Sequence, residues 1–218
     1  MQEESADSSL PLVVDRAGSL FDAPAGSGLI HACNSEGSWG AGIARAFKLK
    51  YPAAYKAYRN HCSKFKINKA NHMIPDLRSE DGSVVSVPYP DGSALIIRPQ
   101  AEDHTSPRKK GYWIICLFTS RGYGKKVDSP TMIMNKTAAA LYDLKAQMNA
   151  LQVELRDPAS VPSLYACRFN SGLFRVPWKR TKALIQEVGI SMTVVAPDEQ
   201  IEKSDEELEE GWGEESKA

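Results

Sequence analysis

Apolar residues recur along the chain with two different spacings, and the two spacings alternate. Short apolar runs bounded by turn residues predict buried strands at residues 12–14, 29–33, 112–118, 164–169 and 192–195. Most of the segments between these runs place apolar residues three or four positions apart, as amphipathic helices do. Because strands alternate with helices, the pattern predicts an α/β fold with a mostly parallel or mixed sheet.

Proline, serine and glycine mark the ends of the predicted helices. Pro52 separates the first two helices, since the residue before a proline avoids the α conformation. Ser129 is predicted to cap a third helix, with Pro130 in the first helical position. The last helix is predicted to run from Pro177 to a stop at Gly189.

Residues 68–110 follow this alternation poorly. Apolar runs at 84–87 and 95–97, flanked by Asp-Gly turn signals, predict two short strands. We interpret the segment as an excursion that contains a hairpin and not as a second domain. A length of 218 residues suits one domain with a sizeable core.

A glycine-rich loop joins the predicted strand at 29–33 to the first helix. Gly37, Gly40 and Gly42 allow positive φ angles or close approach of a ligand to the backbone. A strand, a glycine loop and a helix N-terminus together can present backbone N–H groups to a phosphate. The loop lacks the ending of a P-loop and the spacing of a dinucleotide fingerprint. A plain tight connection between strand and helix is the alternative interpretation.

The formal net charge of zero conceals an uneven distribution of charge. Residues 198–218 contain ten acidic and two basic residues, which leaves 25 of the 27 basic and 17 of the 27 acidic residues in residues 1–197. The basic excess suits an anionic ligand. The acidic tail at 198–218 and the polar N-terminus at 1–10 are predicted to be disordered.

The four cysteines carry neither a C-x-x-C motif nor zinc-ligand spacing. Most of them lie in apolar, strand-like surroundings, which predicts buried thiols in a reducing compartment. We therefore expect an intracellular protein, cytoplasmic and/or nuclear. The sequence contains no signal peptide, no apolar run approaching the ~18 residues of a membrane span and no direct nucleic-acid signal, so neither a membrane nor a nucleic acid is expected as a partner.

Three segments resemble a known family. His-Ala-Cys-Asn from His31, followed by Gly-Ser-Trp-Gly-Ala-Gly-Ile-Ala from Gly37, resembles the first ligand loop of the macrodomains, which bind ADP-ribose. In particular, it resembles that loop in the fungal-type ADP-ribose 1''-phosphate phosphatases. Asn-Ser-Gly-Leu-Phe-Arg-Val-Pro-Trp from Asn170 resembles their second ligand loop, and Leu-Phe-Thr-Ser from Leu117 matches their middle strand. The resemblance implies a macrodomain over residues 11–197, built as a three-layer α/β/α sandwich with a central mixed sheet.

The same resemblance implies a function. It is the hydrolysis of ADP-ribose 1''-phosphate, a metabolite of tRNA splicing, to ADP-ribose and phosphate by a phosphoric monoester hydrolase. Neither a metal nor another cofactor is implied, and we expect a monomer whose partner is ADP-ribose 1''-phosphate or ADP-ribose. Two alternatives stay open: a module that binds ADP-ribose without turnover, and a hydrolase that removes ADP-ribose from modified proteins.

The resemblance also assigns binding residues to the ligand. The residues expected at the adenosine end are Gly18, Ser19 and Leu20, with serine where many macrodomains have an aspartate that reads adenine. Those expected at the terminal ribose and diphosphate are Ala32, Cys33, Asn34, Trp39, Gly40, Ala41, Gly42, Ile43 and Ala44. Those expected on the other side of the diphosphate are Asn170, Ser171, Gly172, Leu173, Phe174, Arg175 and Val176.

Two residues are candidates for catalysis. The phosphatase branch has a histidine at the position of His31, where it would donate a proton to the leaving oxygen or pair with the departing phosphate. Asp128 lies in the region of the branch's catalytic aspartate, where it would activate water or attack phosphorus. The alternatives are a core histidine and an aspartate that stabilises a helix N-terminus. Arg121, Lys125 or Lys126 would neutralise phosphate charge.

One residue of the second ligand loop distinguishes phosphate removal from the removal of ADP-ribose from proteins. A macrodomain branch that cleaves ADP-ribose from protein carboxylates has a catalytic aspartate after Gly-Leu in the second ligand loop. Here Phe174 follows Gly172 and Leu173. Because the carboxylate is absent, the resemblance argues against that mechanism, and the Phe174 ring is expected to pack against the terminal ribose.

Overall fold

A computed structural model gives the fold of the chain. It describes residues 12–68, 71–78, 84–104 and 111–197. The terminal segments that the sequence predicts to be disordered, 1–10 and 198–218, lie outside the described residues. Among the described residues, no helix is both long and apolar enough to cross a membrane.

A six-stranded sheet forms the centre of the molecule, in the order β1-β8-β7-β2-β6-β5. Its first five strands in this order are parallel, and β5 runs antiparallel to β6 at one edge. The predicted mixed sheet is therefore confirmed. The strands are β1 (Val13–Ala17), β2 (Gly28–Asn34), β5 (Ala94–Ile97), β6 (Trp113–Ser120), β7 (Leu164–Ala166) and β8 (Met192–Ala196).

Helices cover both faces of the sheet. In the described part of the chain the α-helices are α1 (Gly42–Lys50), α2 (Pro52–Asn68), α3 (Pro130–Leu155) and α4 (Trp178–Val188). Leu29 in β2 and Ile114 in β6 pack in a core with α1 and α2. Ile30 and Ile115, the next residues along each strand, pack in a second core with α3 and α4. Successive strand residues point to opposite faces, so two apolar faces require two helical layers.

The predicted helix ends of α3 and α4 are confirmed. The Ser129 hydroxyl accepts a hydrogen bond from the Met132 amide, and Pro130 is the first residue of α3. Gly189 ends α4 with a φ of 72°, in the left-handed region that glycine adopts without steric cost. Their agreement with the sequence reflects chemistry that acts within a few residues.

The excursion contains a hairpin and both predicted short strands, but the two predicted strands do not pair with each other. β4 (Val84–Pro88) pairs antiparallel with β3 (Asn71–Arg78), a strand that the apolar pattern did not reveal. The run at 95–97 instead belongs to β5 and joins the main sheet. Ala94 and Ile97 are buried there, because the sheet edge and α3 offer β5 more apolar surface than a two-stranded hairpin does.

Candidate functional site

A cleft of about 1480 Å³ lies at the carboxyl ends of the parallel strands, where α/β sheets bind ligands. The segments that follow β1, β2, β6 and β7 all contribute to its lining. Residues of the predicted ligand loops that line it are Gly18, Ser19, Leu20, Ala32, Cys33, Asn34, Trp39, Gly40, Ala41, Gly42, Ile43, Ala44, Asn170, Ser171, Gly172, Leu173, Phe174 and Arg175.

The predicted ligand residue Val176 does not line the cleft. Its side chain is fully buried, and its amide donates to the Asn170 carbonyl at 3.0 Å. The second ligand loop was assigned as an unbroken segment, but its end turns inward before α4. Val176 therefore holds the loop closed on its core side.

Several lining residues were missed by the sequence analysis. Tyr123 and Val127 reach the cleft from the segment between β6 and α3, on either side of the predicted Lys125, and Arg168 reaches it from the segment after β7. Their position just after strand ends is the sequence signal that marks them, because the carboxyl ends of the parallel strands meet at the cleft. Others that were missed are Phe21, Ser38, Gly124, Cys167, Phe169, Trp178, Val195 and Pro197.

The β2–α1 loop is held in shape by Asn34. Its Nδ2 donates to the Ser38 carbonyl at 2.6 Å, and its Oδ1 accepts from the Ser38 amide at 3.2 Å. The Tyr58 hydroxyl donates to the Asn34 carbonyl at 2.5 Å. Asn34 therefore closes its own loop, as asparagines in turns commonly do, and it lines the cleft as well.

The N-terminus of α1 is shaped to receive an anion. Ala41 occupies the N-cap position and has no side-chain oxygen with which to cap the first-turn amides. Gly42 follows with a φ of 55°, and both residues line the cleft. Unpaired N–H groups and the positive end of the helix dipole favour a phosphate at this place.

Two threonines fix the start of the second ligand loop. Asn170 has a φ of 68°, and its Oδ1 accepts from Thr119 Oγ1 at 2.9 Å. Its Nδ2 donates to Thr137 Oγ1, also at 2.9 Å. Thr119 lies one residue before the end of β6 and Thr137 lies on α3, so strand, helix and loop are joined at the buried Asn170 side chain.

The charges that line the cleft have one sign. Among the described lining residues, the charged side chains are Lys125, Arg168 and Arg175, and no carboxylate accompanies them. Arg168 also approaches Asp15 at 3.8 Å and lies 6.0 Å from the centre of the Trp178 ring. The cleft therefore favours an anionic ligand.

The His31 ring lies in the core beneath the cleft and not among its lining residues. It is fully buried, stacked on Phe47 with ring centres 4.1 Å apart and edge-on to Trp39 at 4.8 Å. On β2 it shares a face with Leu29 and Cys33, and that face packs on α1 and α2. Its catalytic role stays a prediction; its packing role is visible.

His31 also belongs to a buried group of potential metal ligands. Its ring nitrogens and the sulfurs of Cys33 and Cys116 lie within 4.8 Å of one another. The two ring nitrogens of His31, Nδ1 and Nε2, lie at nearly equal distances from Cys33 Sγ, 3.6 and 3.5 Å. Burial, aided by Cys116, raises the pKa of the Cys33 thiol well above its ordinary value. Both thiols pack among the apolar side chains of the core on the α1 and α2 side, as the sequence predicts for buried cysteines.

Asp128 is held at the end of the β6–α3 segment. Its Oδ2 accepts from the Arg121 amide at 2.9 Å and from Lys136 Nζ at 2.6 Å. Among the described residues, its Oδ1 has no hydrogen-bond partner. Val127, the preceding residue, lines the cleft, whereas Asp128 itself does not. The catalytic role of Asp128 also stays a prediction.

Curated relatives resemble nearly the whole chain, although no family model matches it. An ADP-ribose 1''-phosphate phosphatase of Aspergillus clavatus is 46% identical over 86% of this chain and 95% of its own length. The protein of the same name from Aspergillus fumigatus is 47% identical over 85% of this chain and 94% of its own length. Similarity at this level and over this length shows common family membership.

Solved structures agree on the fold. The macrodomain of Thermus aquaticus DarG superposes with a TM-score of 0.56 at 20% identity, covering 85% of this chain and 98% of that one. Thermosipho africanus DarTG, solved in complex with ADP-ribose, gives a TM-score of 0.54 at 16% identity, covering 89% of this chain and 46% of that one. These likenesses show the fold, and the curated relatives show the branch. The chain belongs to the ADP-ribose 1''-phosphate phosphatase family and has the macrodomain fold.

Proposed function

We propose that this protein hydrolyses the phosphomonoester bond of ADP-ribose 1''-phosphate and releases ADP-ribose and phosphate. The observation that carries the proposal is the cleft built from both ligand loops, whose charged lining residues are all cations. A nucleotide with a diphosphate and a further phosphomonoester has the negative charge that such a cleft attracts. The names of the curated relatives support the same substrate.

The order of the strands gives the ligand a direction. Gly18 and Ser19 follow β1 at one side of the cleft. The segment from Tyr123 to Val127 follows β6, which lies on the far side of β2 from β1 in the sheet. The resemblance assigns the β1 end to adenosine and the β2 loop to the terminal ribose and diphosphate. The terminal phosphate would therefore lie beside the segment that follows β6.

The three cations expected to meet this phosphate differ in their positions relative to the cleft. Lys125 lines the cleft. Lys126 instead lies 3.7 Å from Glu36 in a surface ion pair, and Arg121 is exposed outside the lining. We assign the neutralisation of phosphate charge to Lys125, together with backbone N–H groups of the ligand loops.

Matched variants test this assignment. Lys125→Met removes the cation that lines the cleft, and Lys126→Met removes its neighbour as a control. We expect Lys125→Met to lower kcat/KM for ADP-ribose 1''-phosphate by about tenfold or more, the scale of a lost charge-assisted hydrogen bond. Lys126→Met should stay within about twofold, because exposed ion pairs contribute little. Equal effects of the two substitutions would contradict the assignment.

Product analysis tests the function itself. The purified protein is incubated separately with ADP-ribose 1''-phosphate, ADP-ribose and a protein carrying a single ADP-ribose, and the products are resolved by phosphorus NMR and mass spectrometry. We expect ADP-ribose and phosphate in equal amounts from the first substrate and no change in the other two. Binding of ADP-ribose without phosphate release would favour the binding module, and release of ADP-ribose from the protein would favour the other hydrolase. In water enriched in heavy oxygen, label in the phosphate identifies cleavage of the P–O bond.

We also propose that the protein acts inside the cell, in the cytoplasm and/or nucleus, as a monomer. Its four cysteines are free thiols, as a reducing compartment favours. Light scattering and microscopy of the tagged protein test these two statements. A stable oligomer or a secreted product would contradict them.

A further inference from the structure

Lys136 is a buried lysine on α3 whose charge has two partners. Its side chain is only 4% exposed, and its Nζ lies 2.6 Å from Oδ2 of Asp91 and 2.6 Å from Oδ2 of Asp128. A buried ammonium group is strongly unfavourable unless it is paired and hydrogen-bonded. We call Lys136, Asp91 and Asp128 the lysine cluster.

The lysine cluster joins the loops at one end of the cleft. Asp91 lies in the turn before β5, is itself buried, and accepts a hydrogen bond from the hydroxyl of Ser35 in the β2–α1 loop. Asp128 ends the segment after β6, and its bond from the Arg121 amide ties the two ends of that segment together. The β2–α1 loop, through Asp91, and the segment after β6, through Asp128, are therefore both attached to Lys136 Nζ.

This arrangement fixes residues that the ligand would meet. The segment from Arg121 to Asp128 carries Lys125 and Val127 into the lining of the cleft. The Ser35 amide also donates to the carbonyls of Ser120 and Arg121 at 3.2 Å, so the two loops touch directly. Removing Lys136 would leave two carboxylates facing one water-poor space, where like charges repel strongly.

We propose that Lys136 is a positioning residue for the phosphate end of the cleft. Its ammonium group holds the Arg121–Asp128 segment against the β2–α1 loop and so places Lys125 beside the terminal phosphate. The inference rests on the proposed function for the identity of the substrate, but not for the tie between the loops. It assigns Lys136 no contact with the substrate.

Two substitutions on the same helix test the proposal in the full-length protein. Lys136→Met keeps the length of the side chain and removes its charge. Lys145→Met does the same nine residues later on α3, where Lys145 Nζ donates to the Val188 carbonyl at 2.7 Å, away from the cleft lining. Lys136→Arg restores the positive charge. Each variant is measured for hydrolysis, for ADP-ribose affinity and for amide hydrogen exchange.

We expect Lys136→Met to lower kcat/KM for ADP-ribose 1''-phosphate by about 10- to 100-fold, the scale of a small misplacement at a reacting centre. The affinity for ADP-ribose, which lacks the terminal phosphate, should change by less than about threefold. Peptides spanning residues 121–128 should exchange faster than in wild type. Lys136→Arg should recover most of the activity, and Lys145→Met should change none of these three quantities.

Each outcome bears on the proposal. Equal losses of hydrolysis and ADP-ribose affinity, or unchanged exchange over residues 121–128, would overturn it. If Lys136→Met does not fold, Asp91→Asn replaces it, because the amide keeps the shape but weakens the same tie; unchanged exchange in that variant would also overturn the proposal. If the wild-type protein does not hydrolyse the substrate, the proposed function fails, and hydrogen exchange alone still decides whether Lys136 ties the loops.

Discussion

Gly42→Asp is the substitution that tests the anion site most directly. Gly42 begins α1 in the left-handed region, with a φ of 55°, and lines the cleft. A Cβ atom there would meet Leu173 Cδ1 at 3.6 Å, an ordinary van der Waals contact. The side chain therefore fits, and the backbone strain costs about 1–2 kcal/mol. A carboxylate at a helix N-terminus regains about 0.3–1 kcal/mol from the helix dipole, so the variant should fold.

The expected loss of affinity is a Coulomb repulsion. A carboxylate about 4 Å from one phosphate charge is repelled by about 1 kcal/mol in bulk water and about 4 kcal/mol at the effective dielectric of a protein surface. These limits correspond to weakening of ADP-ribose binding by about 5-fold to about 1,000-fold. The open, cationic cleft places the result between them. Salt screens the repulsion, so the loss should shrink between about 0.1 M and 1 M ionic strength.

Gly42→Asn is the matched control, because asparagine has nearly the same shape and tolerates the left-handed region without carrying a charge. Calorimetric titration of ADP-ribose into wild type and both variants, at low and high salt, separates charge from strain. We expect the aspartate variant to bind more weakly than the asparagine variant, with the difference smaller in high salt. Equal affinities of the two folded variants would refute the placement of a phosphate at α1.

Two further predictions concern His31 with Asp128, and Cys62. His31→Ala and Asp128→Ala should each lower turnover about 10²–10⁴-fold with ADP-ribose affinity within a few-fold, and their losses should be less than additive in the double variant. His31→Ala also opens a core cavity that costs about 2–5 kcal/mol of stability, so the melting temperature is measured beside activity. If turnover falls only in proportion to the folded fraction, His31 is a core residue and not a catalytic one. Burial raises the pKa of the Cys62 thiol to about 12. In the unfolded chain the pKa of a thiol is about 8.5. The contribution of Cys62 to the free energy of unfolding is therefore complete below that pH and declines by about 1.4 kcal/mol per pH unit as the pH rises towards 12. Urea unfolding in reductant at pH values of about 7.5 and 9.5 measures it for wild type and Cys62→Ala, and equal pH dependence in the two would contradict the prediction.

The sequence by itself determined the features that depend on neighbouring residues. The alternation of strands and helices, the Ser129 cap and the Gly189 stop follow from chemistry within one or two helical turns. The family and its two ligand loops were also readable, because the glycines and asparagines of such loops stand in fixed local order. Apart from Val176, the residues of these loops line the cleft, and their contacts with a ligand stay a prediction.

The tertiary structure decided which side of an element each side chain occupies. A strand covered on both faces is apolar throughout, so its sequence does not say which face packs on which helices. Only the assembled sheet places His31 against Phe47 of α1, below the cleft. Val176 shows the same limit, since inward and outward residues alternate within one ligand loop.

The lysine cluster depended most on tertiary structure. Asp91 and Lys136 are 45 residues apart, and in the sequence each resembles an ordinary surface charge. They meet because β5 joins the sheet antiparallel to β6 and α3 packs across both strands. An ion pair of this kind has no local signature: its partners are chosen by which elements lie side by side, and burial then makes the pairing obligatory.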